Sequence, residues 1–262
     1  MLPVAYFDRF RQAILSLALT KENEKYGRAE LICPRFLLFS QANLDVYYAP
    51  FHRANPTARV ALIGLTPGWT QMEGAFRAAR KGLASGLDGQ RLFEHIGRTA
   101  SFSGPMRKNL VAMLDGIGMN TVFEIASSHS LFDTSSHLVH FTSAVSAPIF
   151  RNGDNYRGYG PLLLQVPKLK EWVAEKLAAE LASMPQAVIV PLGRIADEAI
   201  QFLKGRMGDL EARCLAGFPH PSGANGHRHE DFRRGREQWS SQIATWFSRT
   251  TNKILMARQS VL

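Results

Sequence analysis

The chain has 262 residues, 45% of them hydrophobic and 20% charged, a balance that can bury a sizeable core and excludes a disordered or fibrous protein. Lys and Arg number 31 against 22 Asp and Glu, a formal charge of +9 that leans toward nucleic acid as a partner without deciding it, since many basic proteins merely stay soluble. The two cysteines, Cys33 and Cys214, are too few and too far apart for a zinc site, an iron–sulfur cluster or a disulfide framework.

In chain order, MLPVAYFDRFRQAILSLALT at 1–20 carries Asp8, Arg9 and Arg11 within its apolar stretch. It reads as an amphipathic helix over about 4–20, neither a signal peptide nor a membrane span; nothing else reaches membrane length, and a cytoplasmic location is expected. Residues 1–57 form an N-terminal helical segment in this reading. RVALIG at 59–64 is a strand, followed by the loop LTPGWTQ and a helix beginning near Met72. Residues 71–100, rich in Arg, Lys, Gly and Ala, read as a helix plus a mobile excursion inserted into the domain. Helix resumes at about 105–116, with Pro105 suited to a first turn and Gly116 or Gly118 to its end.

A second strand, HLVHFTSAV at 137–145, runs into the polar loop SAPIFRNGDNYRGYGP before a helix at about 166–183. QAVIVPLG at 186–193 is a third strand, RIADEAIQFLKG the next helix, and RCLAGF at 213–218 a short strand. The stretch 229–248 puts Phe232, Trp239, Ile243 and Trp246 on one helical face. Strands alternating with helices imply a largely parallel sheet covered on both faces, with ligands outside the carboxyl ends of the strands. With no repeat, low-complexity tract or long linker, a single α/β domain is expected.

Two loops at such strand ends point to one site. VALIGLTPGW at 60–69 is an apolar run that stops on Gly64, Thr66, Pro67 and Gly68, and GFPHPSGANG at 217–226 stops on a proline-flanked histidine and a serine. Taken in order, four stretches resemble the uracil-DNA glycosylase superfamily over roughly residues 58–248: GLTPG (64–68) its first motif, SFSG (101–104) its base-stacking segment, FTSAV (141–145) its base-reading strand and HPSG (220–223) its histidine motif. PLGRIADEA also resembles the strand and helix preceding that histidine in iron–sulfur members.

The resemblance implies a three-layer α/β/α sandwich with a short, mainly parallel sheet, and an enzyme that flips a nucleotide out of DNA and cleaves its N-glycosidic bond. It implies DNA as partner, no metal or cofactor, no membrane, and a monomer. No lysine sits in the motifs to form a Schiff base, so the activity is monofunctional. His220 takes the position of the hydrogen bond to the pyrimidine O2, where a neutral imidazole N–H acts as an oxyanion hole; the bland alternative is a histidine capping a turn. Phe102 matches the ring on which the flipped base stacks, or is simply core. Gly64, Leu65, Gly68, Trp69 and Ser143 line the base, while Ser222, Asn225 and Arg228 meet DNA phosphates.

Three departures from the family pattern bear on chemistry. Thr66 stands where an Asp, Asn or Glu is usual; it can hold a water but not serve as a base near neutral pH, and Glu73 or Asp154, or neither, is the displaced base. Ser143 replaces an asparagine and cannot reproduce its bidentate reading of uracil. Gly68 replaces a bulky aromatic and leaves room at pyrimidine C5, with Trp69 folding inward or stacking on an attached group. A modified, possibly C5-substituted base is the expected substrate, in repair or phage defence. Arg77, Arg80, Lys81 and Arg91 form a solvated face or reach phosphates, and Arg151, Asn152, Asn155 and Arg157 have the better claim to DNA. The alternatives are a catalytically silent DNA-binding module with this fold and an N-glycoside hydrolase of free nucleosides.

Overall fold

The computed structural model describes residues 4–19, 21, 24–51, 54–102 and 104–259. Its strands are β1 (Leu37–Gln41), β2 (Leu44–Tyr47), β3 (Val60–Gly64), β4 (Val139–Ser143), β5 (Ile149–Arg151), β6 (Asp154–Asn155) and β7 (Val188–Pro191). They make two sheets, one of order β1-β2-β5-β6 and one of order β4-β3-β7, so the protein is a mixed α/β structure with a short parallel sheet. The chain, read above as one domain, divides into two compact units: Met1–Asn55, Gly64–Ser103 and Phe141–Ser183 in the first, Pro56–Ile63, Gly104–His140 and Met184–Leu262 in the second.

In the first unit the amphipathic N-terminal helix is real but shorter than expected, Val4–Leu15. Residue 20, where that helix was expected to end, lies outside the described residues. The segment 1–57 is not wholly helical. β1 and β2 pair antiparallel around a two-residue turn at Ala42 and Asn43, both at positive φ (53° and 58°), the hairpin geometry that matches strand twist. β2 then pairs with β5 and β5 with β6, all antiparallel. Apolar rings fill the interior, with Phe10 stacked on Tyr48 at 4.1 Å and Phe36 against Phe76 at 4.6 Å.

The supposed mobile excursion at 71–100 is part of this core. Two helices, Trp69–Ala84 and Gly89–Ala100, bury Met72, Ala75, Phe76 and Ala79 on one and Leu92, Phe93, Ile96 and Ala100 on the other. Those positions recur at helical spacing, and the polar residues between them mask the pattern in composition. The first helix starts at Trp69, three residues before the expected Met72.

In the second unit β3 and β7 pair in parallel, Val60 opposite Val188 through Ile63 opposite Pro191. β3 is buried along its whole length, which explains its unbroken apolar run. β4 runs in the same sense as β3: Arg59 N–H donates to Leu138 O at 2.8 Å, and further along Ala144 N–H donates to Gly64 O at 2.8 Å. The expected strand at 213–218 reduces to one parallel bridge, Ile189 with Cys214, because Leu210–Arg213 is helical and Gly217 turns the chain at φ 73°. Cys214 is buried, and desolvation pushes its thiol up to about 12.

The C-terminal helix runs from Arg228 to Gln259. It buries Trp239 and Ile243, while Trp246 Nε1–H donates to Gln186 O at 3.0 Å. No helix among the described residues is long and apolar enough to cross a membrane.

Candidate active site

The last residue of β3, Gly64, belongs to the first unit and packs too closely for a larger side chain to go unnoticed. A Cβ there would lie 3.3 Å from Ser143 Oγ and 3.8 Å from the edge of the Phe102 ring. Gly64, Phe102 and Ser143 are therefore neighbours. Phe102 is buried, tilts against Phe141 at 5.8 Å, and sits at φ 46°, a left-handed conformation that is uncommon for an aromatic residue. Ser103, the third residue of its motif, lies outside the described residues. Ser143 is only 9% exposed and its hydroxyl makes no hydrogen bond among the described residues, which leaves it available.

The rest of this loop is tied down. Val145 N–H donates to Leu65 O at 3.1 Å. Thr66 Oγ1–H donates to Ala147 O at 2.7 Å, so its one proton is spent on the backbone and it can only accept from a water. Gly68 N–H donates to Gln71 Oε1 at 3.0 Å at the start of the helix. The room expected beside Gly68 is filled: a Cβ there would meet Asn155 Nδ2 at 3.3 Å. Asn155 is held in place because its Oδ1 accepts from Trp69 N–H at 2.8 Å. The Trp69 ring lies under the Arg28 guanidinium, 5.0 Å from centroid to carbon.

Glu73, a candidate for the displaced base, is held by other groups. It is 3% exposed, pairs with Arg77 at 2.9 Å and accepts from Tyr26 N–H at 3.4 Å, a structural tie within the first unit. Arg80 and Lys81 likewise donate to the carbonyls of Leu17 and Lys21 and hold the N-terminal segment, while among the described residues no hydrogen bond occupies Arg91 in the same way. The polar stretch after β4 is a β-hairpin and not an open loop. Arg151 opposes Asp154 across a turn at Asn152 (φ 51°) and Gly153 (φ 82°). Asp154 is exposed on that turn, as is Asn152, and Arg157 follows, also exposed. Arg151 Nη1 donates to the carbonyls of Tyr159 and Gly160 at 3.2 and 3.0 Å.

The second unit carries His220. Ser222 N–H donates to its Nδ1 at 3.2 Å, which makes Nδ1 an acceptor and places the ring proton on Nε2. Burial holds the imidazolium pKa below its ordinary value, so the ring is neutral near pH 7 with Nε2–H to donate. Gly193, at φ 88° after β7, makes room for it: a Cβ there would lie 2.8 Å from His220 Cβ. The loop is locked around the ring. Asn225 Nδ2 donates to His220 O at 3.3 Å and its Oδ1 accepts from His227 N–H, while Arg228 Nη1 donates to Ser222 O at 2.6 Å. Ser222 Oγ accepts from Ala224 N–H at 3.2 Å. Asn225 thus spends one Nδ2–H and one Oδ1 lone pair within the loop, Arg228 is partly committed to it, and Ser222 Oγ keeps its own proton to donate. Asn109 Nδ2 anchors the loop through Pro221 O at 2.9 Å.

No family model matches the chain. It is 35% identical over 221 residues to the uncharacterized protein YoxB of Bacillus subtilis (strain 168), a match covering 84% of this chain and 86% of that protein. The chain belongs to the YoxB family. A solved structure similar to it is wild-type SMUG2 of Pedobacter heparinus, 11% identical at a TM-score of 0.47, covering 92% of this chain and 97% of that one.

In this YoxB relative, sequence reasoning passed over Gly193, Asn109 and the position of Asn155. The dipeptide Asn152-Gly153 was the available signal for the last, because it favours a two-residue hairpin. Gly193 at the junction of strand and helix was visible as a glycine but not as the floor under His220. Among the described residues no group of three or more His, Cys, Asp or Glu could hold a metal ion.

Proposed function

We propose that the protein is a monofunctional DNA glycosylase of the uracil-DNA glycosylase type that hydrolyses the N-glycosidic bond of a modified base and leaves an abasic site. The observation that carries this reading is His220, a neutral imidazole whose Nδ1 is occupied by Ser222 N–H and whose Nε2–H is the remaining donor. The bond from sugar C1′ to the base breaks with its electron pair leaving on the base. Negative charge then grows on a base oxygen, and a fixed N–H there lowers the barrier. Water adds to C1′ and its proton passes to the departed base or to solvent. Thr66 can accept a hydrogen bond from that water but cannot take its proton, so leaving-group stabilisation bears most of the catalysis.

Gly64, Phe102 and Ser143 supply a close wall, an aromatic face and one free hydroxyl, a set suited to a flat ring. One hydroxyl in place of a planar amide favours a base other than uracil. Asn155, not open space, would meet a C5 group at Gly68, so a polar substituent suits it better than a bulky apolar one. The charge of +9 favours DNA over free nucleosides.

A panel of oligonucleotides and phage DNAs carrying altered bases, scored for abasic sites and released base, tests the reading and separates repair from phage defence. Abasic product that disappears in His220→Ala supports it. The commitment of the Thr66 proton to Ala147 O favours a second reading, a DNA-binding module without chemistry. DNA binding with no abasic product from any substrate would decide for that module.

A further inference from the structure

The hairpin β5–β6 and the chain that follows it enclose a groove of about 430 Å³, lined by Arg28, Arg151, Asp154, Asn155, Arg157 and Tyr159 among others. Its walls are fixed. The turn at Asn152 and Gly153 sets one side, and Arg28 donates to Gly153 O while its guanidinium lies over Trp69 and Phe150. The other side is pinned by Tyr156 OH donating to Pro161 O at 2.6 Å and by Arg151 holding the carbonyls of Tyr159 and Gly160.

Three guanidiniums line this space against the single carboxylate of Asp154, and none of the four is in an ion pair among the described residues. Such a surplus calls for an anion with several oxygens. At the rim stands Tyr159, 53% exposed, the one aromatic among the exposed large apolar side chains of the described residues. A duplex offers phosphates to a basic groove but keeps its base faces stacked, so it would not use that ring. An unpaired nucleotide offers both a phosphate and a free π-face.

We propose that this groove binds an unpaired nucleotide of a nucleic-acid strand, with Arg28, Arg151 and Arg157 on phosphate and Tyr159 stacked on the base. The inference depends on no cleavage step. It gives the protein a preference for single-stranded or locally opened nucleic acid over intact duplex.

The test is fluorescence anisotropy with a labelled oligonucleotide of the four ordinary bases, single-stranded and paired with its complement. Tyr159→Ala should weaken the single strand about tenfold while changing the duplex less than about twofold, and Tyr159→Phe should bind like the parent chain. Arg157→Ala should reduce the salt dependence on the single strand by about 0.7 in the log–log slope, as expected for one lost phosphate contact. Unchanged single-strand binding in Tyr159→Ala, or equal losses on both forms, overturns the proposal. So does displacement of the strand by a free mononucleotide at equal phosphate concentration, which would make the groove a small-molecule site. Because these oligonucleotides carry no altered base, a chain that excises nothing yet binds through Tyr159 keeps this inference and loses the proposed activity. A chain that excises a base yet is indifferent to Tyr159 does the reverse.

Discussion

The two proline-containing loops are held by the same kind of bond to opposite ends. In residues 64–69 the hydrogen bonds spend three donors within the fold: the Thr66 proton goes to Ala147 O, Gly68 N–H to Gln71, and Trp69 N–H to Asn155. In residues 217–228 they converge on His220, occupy Nδ1 and its carbonyl, and leave Nε2–H. On the proposed function the first loop contributes shape and an acceptor for water, and the second holds one donor in place. A motif rich in hydrogen-bonding groups is therefore no measure of chemistry until the partners of each group are known.

The largest test of that contrast is His220→Ala, expected to lower the single-turnover cleavage rate on the order of a hundredfold with DNA affinity near the parent value. Next is Gly193→Ala, which keeps every polar group but puts a Cβ 2.8 Å from His220 Cβ at a φ of 88°. It should cost about 1–3 kcal/mol in urea unfolding and roughly tenfold in rate, by moving the donor and not by removing it. If Gly193→Ala cleaves normally, the mount is not rigid in the way described.

Acidity sharpens the same point with a smaller effect. The pKa of His220 is lowered by burial, so the ring stays neutral from alkaline pH down past the ordinary value of about 6.5. Cleavage should hold level over that range and fall at lower pH as the imidazolium forms. Stability follows the same sign: below about 6.5 the unfolded chain takes up a proton that the folded one resists, so ΔG of unfolding drops as pH falls. A rate that rises on acidification through that range would mean that His220 works as a protonated acid.

The smallest change in rate is expected from Thr66→Val, which preserves shape and removes the hydroxyl. It leaves Ala147 O without its donor, at a cost of about 1–3 kcal/mol in urea unfolding. Cleavage of folded protein should change by less than about threefold, a shift worth under 1 kcal/mol. A loss approaching that of His220→Ala would move the chemistry into the first loop.

The parallel strands were legible because burial on both faces writes itself as unbroken apolar runs, as in residues 60–63. The antiparallel sheet was not, since β1 alternates weakly and β6 is two exposed polar residues that pair only because Asn152-Gly153 folds them back. His220 could be singled out from its proline-flanked motif, yet its tautomer depends on a backbone N–H two residues on. Gly68 shows the opposite limit. A missing side chain looks like space in a sequence, and only the fold reveals that Asn155, 87 positions later, stands in it.

The depth at which Cys214 lies has a practical consequence. Cys33 is half-exposed, whereas Cys214 is shielded and kept protonated up to about 12. Thiolate is the reactive form, so a thiol reagent meets one cysteine in the native chain and the second only when the region around the bridge to Ile189 comes apart. The second equivalent of label is then a clock for the opening of the second unit, readable on the unmodified protein without an added probe.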